Sequence, residues 1–413
     1  MKKSHSKEIA KFFCLVFITG ILIFNSGGVS DAKAAAVPDS DDTYEEFDPT
    51  VAEEYVELPD VPEAQFFLAK IIEVLDERVE EIPGGYVEEV QEVRVEITSG
   101  QEKGNVLTLS HGGIVTVDQY QKVEPGDKVI LVKTFNADGD AQYYINDHYR
   151  LTPMAIVLGI FILLAIFFAR WKGVGSILGL GFSILILAQY IVPQIIAGGD
   201  PLTITIIGTF LIAGVSLFMA HGYNKRTLVA FGSTMITLII VLFVSKFFVE
   251  FSNLFGRGTE EAMFIQLGQL SYINLRGLLL AGIVIGTLGV LDDITTAQTA
   301  VVGELRQANP SLSLKELYRR GLIVGREHIA SLVNTLVLAY AGASLPLFIL
   351  FSFNDQAPIW LKLNSEIIAE EVIRTIIGST ALILAVPIAT MLAAYFLRNE
   401  KISDQPLSHS HSH

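Results

Sequence analysis

The sequence predicts an all-α membrane bundle of seven spans, preceded by a signal segment and by a small exported domain of β-barrel or OB-like type. Three patterns predict this fold class: a basic and apolar N-terminus, a stretch of short alternating strands, and a series of long apolar runs. Of the 413 residues, 51% are hydrophobic and only 18% are charged. A soluble globular chain carries about 25% charged residues, and a disordered chain is typically more polar still. Both classes are therefore excluded.

Residues 1–36 have the layout of a signal peptide. Four lysines precede an apolar run over 12–24, and Ala32-Lys33-Ala34 offers a cleavage site between small residues. The run is about 13 residues long, shorter than the roughly 20 that span a bilayer. We expect cleavage, with an uncleaved signal anchor as the alternative. Either one exports the chain that follows.

Residues 37–150 form the exported part. Segment 37–63 is rich in Asp, Glu and Pro, which predicts a flexible acidic linker. From 64 to 150 the pattern changes, and Val93, Val95 and Ile97 alternate with charged residues as in a half-buried strand. Turns that contain glycine separate further strand candidates. The predicted strands cover 66–75, 92–97, 104–110, 114–123, 128–134 and 141–149.

Seven apolar runs within 151–397 each have about the 17 to 25 residues that a helical span requires. With the β-rich domain outside, the first span runs inward, so alternate loops and the tail at 398–413 are cytoplasmic. Those inward segments hold most of the Lys and Arg of this half, as the positive-inside rule requires. We therefore predict a bacterial cell-membrane protein with residues 37–150 outside. The predicted spans are 153–169, 174–197, 201–220, 227–248, 275–292, 328–352 and 372–397.

Two pairs of glycines lie four residues apart on these spans, Gly175 with Gly179 and Gly282 with Gly286. Small residues at this spacing let helix backbones approach closely in lipid. We expect these glycines to pack helices rather than to serve as hinges or ligand sites.

The densest polar sequence of the membrane half lies between the fifth and sixth spans. Adjacent carboxylates at Asp292 and Asp293 crowd negative charge where lipid makes it costly, so one of them can carry a proton. On the sixth span Glu327 and Asn334 share a helix face, and either acid of the fifth span can pair with Arg326 or Asn334 across the bundle. The candidate residues of this polar pathway are Asp292, Asp293, Thr296, Gln298, Glu304, Arg326, Glu327 and Asn334.

Three interpretations fit this cluster: a structural salt-bridge network, a proton or cation pathway, and an intramembrane catalytic site. The sequence lacks the G-x-S-x-G nucleophile elbow, the H-E-x-x-H zinc motif and the Walker phosphate loop. We therefore expect no enzyme, no cofactor and no nucleic-acid partner. The single cysteine excludes an intrachain disulfide.

The loop before the sixth span predicts a basic amphipathic helix over 313–322. Ser313 and Glu316 form a capping box, and apolar side chains recur at helical spacing opposite basic ones. Such a helix either lies on the inner leaflet or packs against the inner face of the bundle.

The tail ends in histidines that alternate with serine. Such a tract binds zinc or nickel weakly, and without fixed geometry it is more often a solvated end. We expect no metal here, and the weak candidates are His409, His411 and His413.

Three motifs of the membrane half stand out: Gly289-x-x-Asp292-Asp293-x-Thr295-x-x-Gln298, Gly325-Arg326-Glu327-His328-Ile329 and Asn334-Thr335-Leu336-x-x-Ala339-Tyr340-x-Gly342. Together they resemble the YibE/F family of bacterial multi-pass membrane proteins. The resemblance extends over most of 150–397 and implies a polytopic cell-membrane permease. The order of an acidic inward span, an amphipathic helix and a span that opens with Asn-Thr-Leu is also similar in plan to RND half-transporters such as SecD and SecF, where such an acid relays protons.

Two functions remain open on these grounds. The first is a permease or export-assisting transporter, with a small solute or an ion as its partner. The second is a membrane scaffold whose exported β domain binds a partner, with a polar cluster that is purely structural. The lipid bilayer is a partner in both, and both are compatible with a homo-oligomer or a second membrane subunit.

Overall fold

The computed structural model describes residues 64–82, 86–112, 121–136, 139–353 and 358–398, without the side chains of 80–88. The expected signal segment at 1–36, the linker at 37–63 and the tail beyond 398, with its three histidines, lie outside the described residues. The chain divides into two compact units, and the division falls between His148 and Tyr149.

The first unit is an antiparallel sheet of five strands that forms a half-barrel, in the order β3-β2-β1-β4-β5. The first strand is long because its beginning pairs with β4 and the rest of it pairs with β2. Register shifts between Ile71 and Asp76 interrupt this pairing, and such bulges bend and twist a strand. The predicted strand at 114–123 lies mostly outside the described residues. The strands are β1 (Gln65–Ile82), β2 (Tyr86–Ile97), β3 (Val106–His111), β4 (Lys128–Phe135) and β5 (Ala141–His148).

Alternation along β2 builds the core of this sheet. Val93, Val95 and Ile97 are fully buried, whereas Arg94 between them is exposed. This pattern confirms the predicted half-buried strand, since successive side chains of a strand face opposite sides. Gln91 is buried as well, because its amide bonds to both backbone groups of Val123: Val123 N donates to Gln91 Oε1 at 2.8 Å and Gln91 Nε2 donates to Val123 O at 3.2 Å.

The second unit is helical. Six helical stretches among the described residues are long and apolar enough to cross a membrane: Leu151–Ile196, Pro201–His221, Lys225–Phe251, Leu275–Ala308, Leu314–Ala343 and Glu366–Leu397. A π-helical turn, Leu187–Ile191, joins α1 to α2. The helices are α1 (Leu151–Ile186), α2 (Val192–Ile196), α3 (Pro201–His221), α4 (Lys225–Phe251), α5 (Glu260–Leu267), α6 (Leu275–Ala308), α7 (Leu314–Ala343), α8 (Leu345–Phe353), α9 (Ile359–Leu363) and α10 (Glu366–Leu397).

The first apolar stretch reverses direction within α1. Arg170 has φ 51° and ψ −132°, which is not helical, and a Cβ at Gly173 would meet the backbone oxygen of Ala165. The segments before and after Arg170 therefore lie side by side, and we call them the α1 hairpin. The sequence predicted two separate spans here, at 153–169 and 174–197, which is why six candidate stretches stand where seven spans were expected.

Two helices extend beyond the predicted spans. The helix that contains the predicted span 275–292 continues to Ala308, and the helix that contains the beginning of 328–352 starts at Leu314 and ends at Ala343. The capping box of Ser313 and Glu316 is present and starts α7. Leu317 is fully buried and Gly321 packs against Val302, so the amphipathic segment packs against the bundle.

Helix α6 is the central element of the helical unit. It contacts α3, α4, α7 and α10, and its buried side chains include four polar ones: Thr287, Thr295, Gln298 and Thr299. Hydroxyl and amide groups at helix contacts stabilise membrane bundles because lipid offers them no other partner. This helix therefore carries both the packing of the unit and most of its predicted polar residues.

Candidate functional site

Asp292 shares one face of α6 with three residues that follow it along the helix. Residues at i, i+4, i+7 and i+11 share a helix face, and here they are Asp292, Thr296, Thr299 and Gly303. Gly303 packs under the guanidinium of Arg226 on α4. The Cζ of Arg226 lies 2.8 Å from where a Cβ of Gly303 would be.

Asp292 is the acid of this face, and one oxygen of its carboxylate lacks a hydrogen-bond partner among the described residues. Its residue is half-buried, and Oδ1 is enclosed without a hydrogen-bond partner in the part of the chain that the structure describes. The Thr299 hydroxyl, seven residues further on, is buried and lacks a partner in the same way. Polar atoms that are buried and unpaired are uncommon in native folds and point to a functional role or to a bound ion or water.

A cavity of about 240 Å³ opens beside this face. We call it the polar chamber. It is basic, since α1 contributes Lys172, α3 contributes His221 and α4 contributes Arg226. Asn224 caps α4 at the chamber by accepting a hydrogen bond from Thr227 N at 3.0 Å. The residues lining the chamber are Lys172, His221, Asn224, Arg226, Thr227, Ala230, Thr296 and Ala300.

Two acids of α6 complement these basic groups. Asp293 is exposed, and its charge interacts with that of His221. Glu304 accepts a hydrogen bond from Arg226 Nη1 at 2.9 Å. The Glu304 side chain is 67% exposed, so this ion pair is a weak link between α4 and α6.

A second cavity, of about 260 Å³, adjoins the chamber. It lies between the two arms of the α1 hairpin and the end of α3, and it shares Lys172 and His221 with the polar chamber. Its remaining lining is mostly apolar. The chamber therefore meets a mostly apolar cleft at Lys172 and His221.

Gln298 faces the other way, into a junction of α6, α7 and α10. Its Nε2 donates to Gly321 O and to Thr390 Oγ1, each at 2.7 Å, while Oε1 is buried without a partner among the described residues. A Cβ at Gly325 would lie 3.0 Å from both Nε2 and Oε1. The two glycines of α7 thus make room for this amide, and we call the contact the Gln298 junction.

A family model described as YibE/F-like protein matches residues 157–399. The chain belongs to the YibE/F family. The match covers the helical unit, with the polar chamber and the Gln298 junction, and leaves the half-barrel outside it. No curated protein and no solved structure matches the chain.

The polar residues of α7 in this YibE/F unit lie away from the chamber. Arg326, Glu327 and Asn334 are exposed, and within the described ranges no ion pair joins Arg326 to Asp292 or Asp293. The expected pairing across the fifth and sixth spans does not form, because α7 turns its buried glycines towards α6 and its polar side chains outwards. Instead, Arg226 on α4 pairs with Glu304, and His221 on α3 lies near Asp293.

The glycine pairs of the YibE/F unit differ in what they contact. A Cβ at Gly175 would meet Met219 O, and one at Gly179 would lie 3.2 Å from Ser216 Cα, so α1 and α3 approach closely there. A Cβ at Gly286 would lie 3.2 Å from the hydroxyl oxygen of Tyr340. Gly282 has nothing within 4 Å.

Sequence reasoning missed the basic side of the chamber. Lys172 and Arg226 were recognised only as charges of inward loops, and His221 and Thr234 were not singled out. Thr234 bonds to Thr295 on α6, with 2.8 Å between the two hydroxyl oxygens. The sequence did contain a signal for this basic side. The predicted topology places the loops at 170–172 and 221–226 on the same side of the membrane as the acidic end of the fifth span.

Proposed function

We propose that this YibE/F protein is a cell-membrane permease whose helical unit carries protons, with Asp292 as the proton-carrying group. The observation that supports this most strongly is the enclosed, unpartnered Oδ1 of Asp292 inside a unit of apolar helices. An ionised carboxylate without a partner is costly at such a place, and binding a proton removes the charge.

In this proposal the polar chamber provides the route to Asp292, which shares a helix face with the chamber residue Thr296. The lining of the chamber offers the hydroxyls of Thr227 and Thr296 and the basic groups of Lys172 and His221. Hydroxyls and histidine both donate and accept protons, which suits a relay between solvent and a buried carboxylate.

The proposed topology follows from charge and length. A straight helix from Leu151 to Ile196 would be about 69 Å long, more than twice the roughly 30 Å of a hydrocarbon core. Division at Arg170 makes two spans and brings the total to seven. We propose that residues 37–150 follow a signal segment on the outside, and that the chamber opens on the cytoplasmic side with the C-terminus.

The test is proton uptake by the purified full-length protein in vesicles, driven by an imposed membrane potential and followed with an entrapped pH-sensitive dye. Asp292→Asn is expected to abolish uptake, because the amide cannot release a proton. Asp293→Asn is the matched control, since it makes the same chemical change one residue away at an exposed position. It is expected to keep most of the uptake.

Two results would contradict this assignment. Equal uptake by wild type and Asp292→Asn removes the role of Asp292, and equal loss in both variants removes the distinction between the two acids. If wild-type vesicles take up no protons, the alternative is favoured: a scaffold whose exported unit binds a partner. The half-barrel has a hydrophobic core of its own. On this alternative, deletion of 64–148 should abolish the protein's function in the cell, whereas Asp292→Asn should leave that function unchanged.

A further inference from the structure

A second basic cleft lies at the opposite end of α4 and α6 from the polar chamber. Its volume is about 410 Å³, within the range of small-molecule sites. It is formed where the loop after α4 meets the start of α6, about 30 Å along α6 from Thr296. We call it the arginine cleft. It is lined by Phe255, Arg257, Gln266, Ser271, Ile273, Asn274, Leu275 and Arg276.

Arg276 is held in one orientation within the cleft. Its Nε donates to Leu254 O at 3.0 Å, and its guanidinium lies 5.1 Å from the centre of the Phe255 ring. These contacts use one donor and one face of the planar group. The terminal nitrogens make no hydrogen bond within the described residues, so they remain available for a ligand.

Arg257 stands on a loop whose backbone is fixed by two acids of α10. Glu366 accepts hydrogen bonds from Phe255 N at 2.6 Å and from Arg257 N at 3.3 Å. Glu370, only 3% exposed, accepts one from Gly258 N at 3.0 Å. The exposed Arg257 side chain therefore extends from a backbone that is already ordered, which lowers the entropy lost on binding.

The remaining lining adds donors and no negative charge. Gln266, Ser271 and Asn274 are neutral and polar, and none of the lining residues is acidic. The Glu366 carboxylate beside the cleft already accepts hydrogen bonds from two backbone N–H groups. The two guanidinium groups of the lining attract anions, and guanidinium binds phosphate or carboxylate through two parallel hydrogen bonds. The cleft is also larger than the anionic group alone requires.

We propose that the arginine cleft is a binding site for an oxyanion, the phosphate or carboxylate of a small organic solute or of a lipid headgroup. Phe255 offers an apolar surface for the remainder of that molecule. This site does not depend on proton transfer at Asp292, and it stands if that function fails.

Binding of inorganic phosphate to the full-length protein in phosphatidylcholine nanodiscs tests the site, measured by titration calorimetry. Arg257→Gln and Arg276→Gln are each expected to weaken binding about tenfold, the loss of one charge-assisted pair. Lys246→Gln is the control, because it removes one positive charge near the same end of α4 outside the cleft. Arg257→Gln is the decisive variant, since the Arg257 side chain makes no hydrogen bond or ion pair with any other described residue.

A second arm distinguishes the source of the anion. If phosphate does not bind, nanodiscs of phosphatidylglycerol are compared with phosphatidylcholine by hydrogen exchange of residues 254–276. Protection by phosphatidylglycerol in wild type and Lys246→Gln, but not in Arg257→Gln, identifies a lipid headgroup site. Phosphate affinity that is equal in all variants, or no binding and no protection in either arm, overturns the proposal.

Discussion

Glu102 lies in the turn between β2 and β3 and connects that turn to two other strands. Lys133 on β4 donates to Glu102 Oε1 at 2.6 Å, and the hydroxyl of Tyr143 on β5 donates to Oε2 at 2.8 Å. The hydrogen bond from Lys133, and to a smaller extent that from Tyr143, lowers the pKa of Glu102. The carboxylate therefore helps to hold the two ends of the half-barrel together.

A group whose pKa is lower in the folded state stabilises the fold above its unfolded pKa, about 4.3 for Glu, and loses that effect as the pH falls through the folded value. We expect Glu102→Gln to speed hydrogen exchange of the β4 and β5 amides at pH 7 in the full-length protein. The difference from wild type should shrink as the pH falls below about 4. Glu124→Gln, at an exposed carboxylate, should leave exchange unchanged, and a difference that grows in acid would contradict the assignment.

Single residues also show where sequence reasoning stops. Asp292 and Gln298 could be singled out because polar side chains are costly in an apolar run. Their partners could not be predicted. Gln298 bonds to a backbone oxygen and a threonine on two other helices, and His221 faces Asp293 only because the end of α3 comes to rest there. Contacts of this kind depend on how the helices rotate about their axes, and no local pattern encodes that rotation.

Among the elements, α7 is the most constrained by the Gln298 junction. Gly325→Ala would place a methyl group 3.0 Å from both polar atoms of the Gln298 amide and against Val386. We expect it to lower the free energy of unfolding by about 1 to 3 kcal/mol, the usual cost of overpacking a core. Thermal unfolding of the purified protein in detergent measures this change.

Gly282→Ala on α6 is the matched control, because nothing lies within 4 Å of its added methyl group. Alanine is the better helix former by up to about 1 kcal/mol, so this variant should be as stable as wild type or more so. If both variants melt at the same temperature, Gly325 is not a close-packing position.

Element type was easier to predict than element length. Apolar runs of about 20 residues identified the spans because lipid demands continuous helices of that length. The helices are longer than these runs: α6 continues beyond 292 and α7 begins before 328, because both helices extend through polar sequence that packs against their neighbours. The capping box of Ser313 marks the start of α7 correctly. Hydropathy alone does not detect this local signal.

For the whole molecule, the arrangement across the membrane is the prediction with the most consequences. A reporter that is active only outside the cytoplasm should be active when fused after Asn136 or Gly268 and silent when fused after Asn309. The reason is the excess of Lys and Arg in the loops on the side of Asn309. Activity after Asn309 would reverse the assignment and place the polar chamber on the outer side.

The reversal at Arg170 separates a loosely packed part of the helical unit from a tightly packed one. The Gln298 junction ties α6, α7 and α10 into one block, whereas the α1 hairpin rests chiefly on α3 and none of its most apolar window is buried. Lys172 on the hairpin and His221 on α3 both line the polar chamber. One wall of the chamber is therefore a segment that rests chiefly on a single helix, whereas the opposite wall belongs to the tightly packed α6.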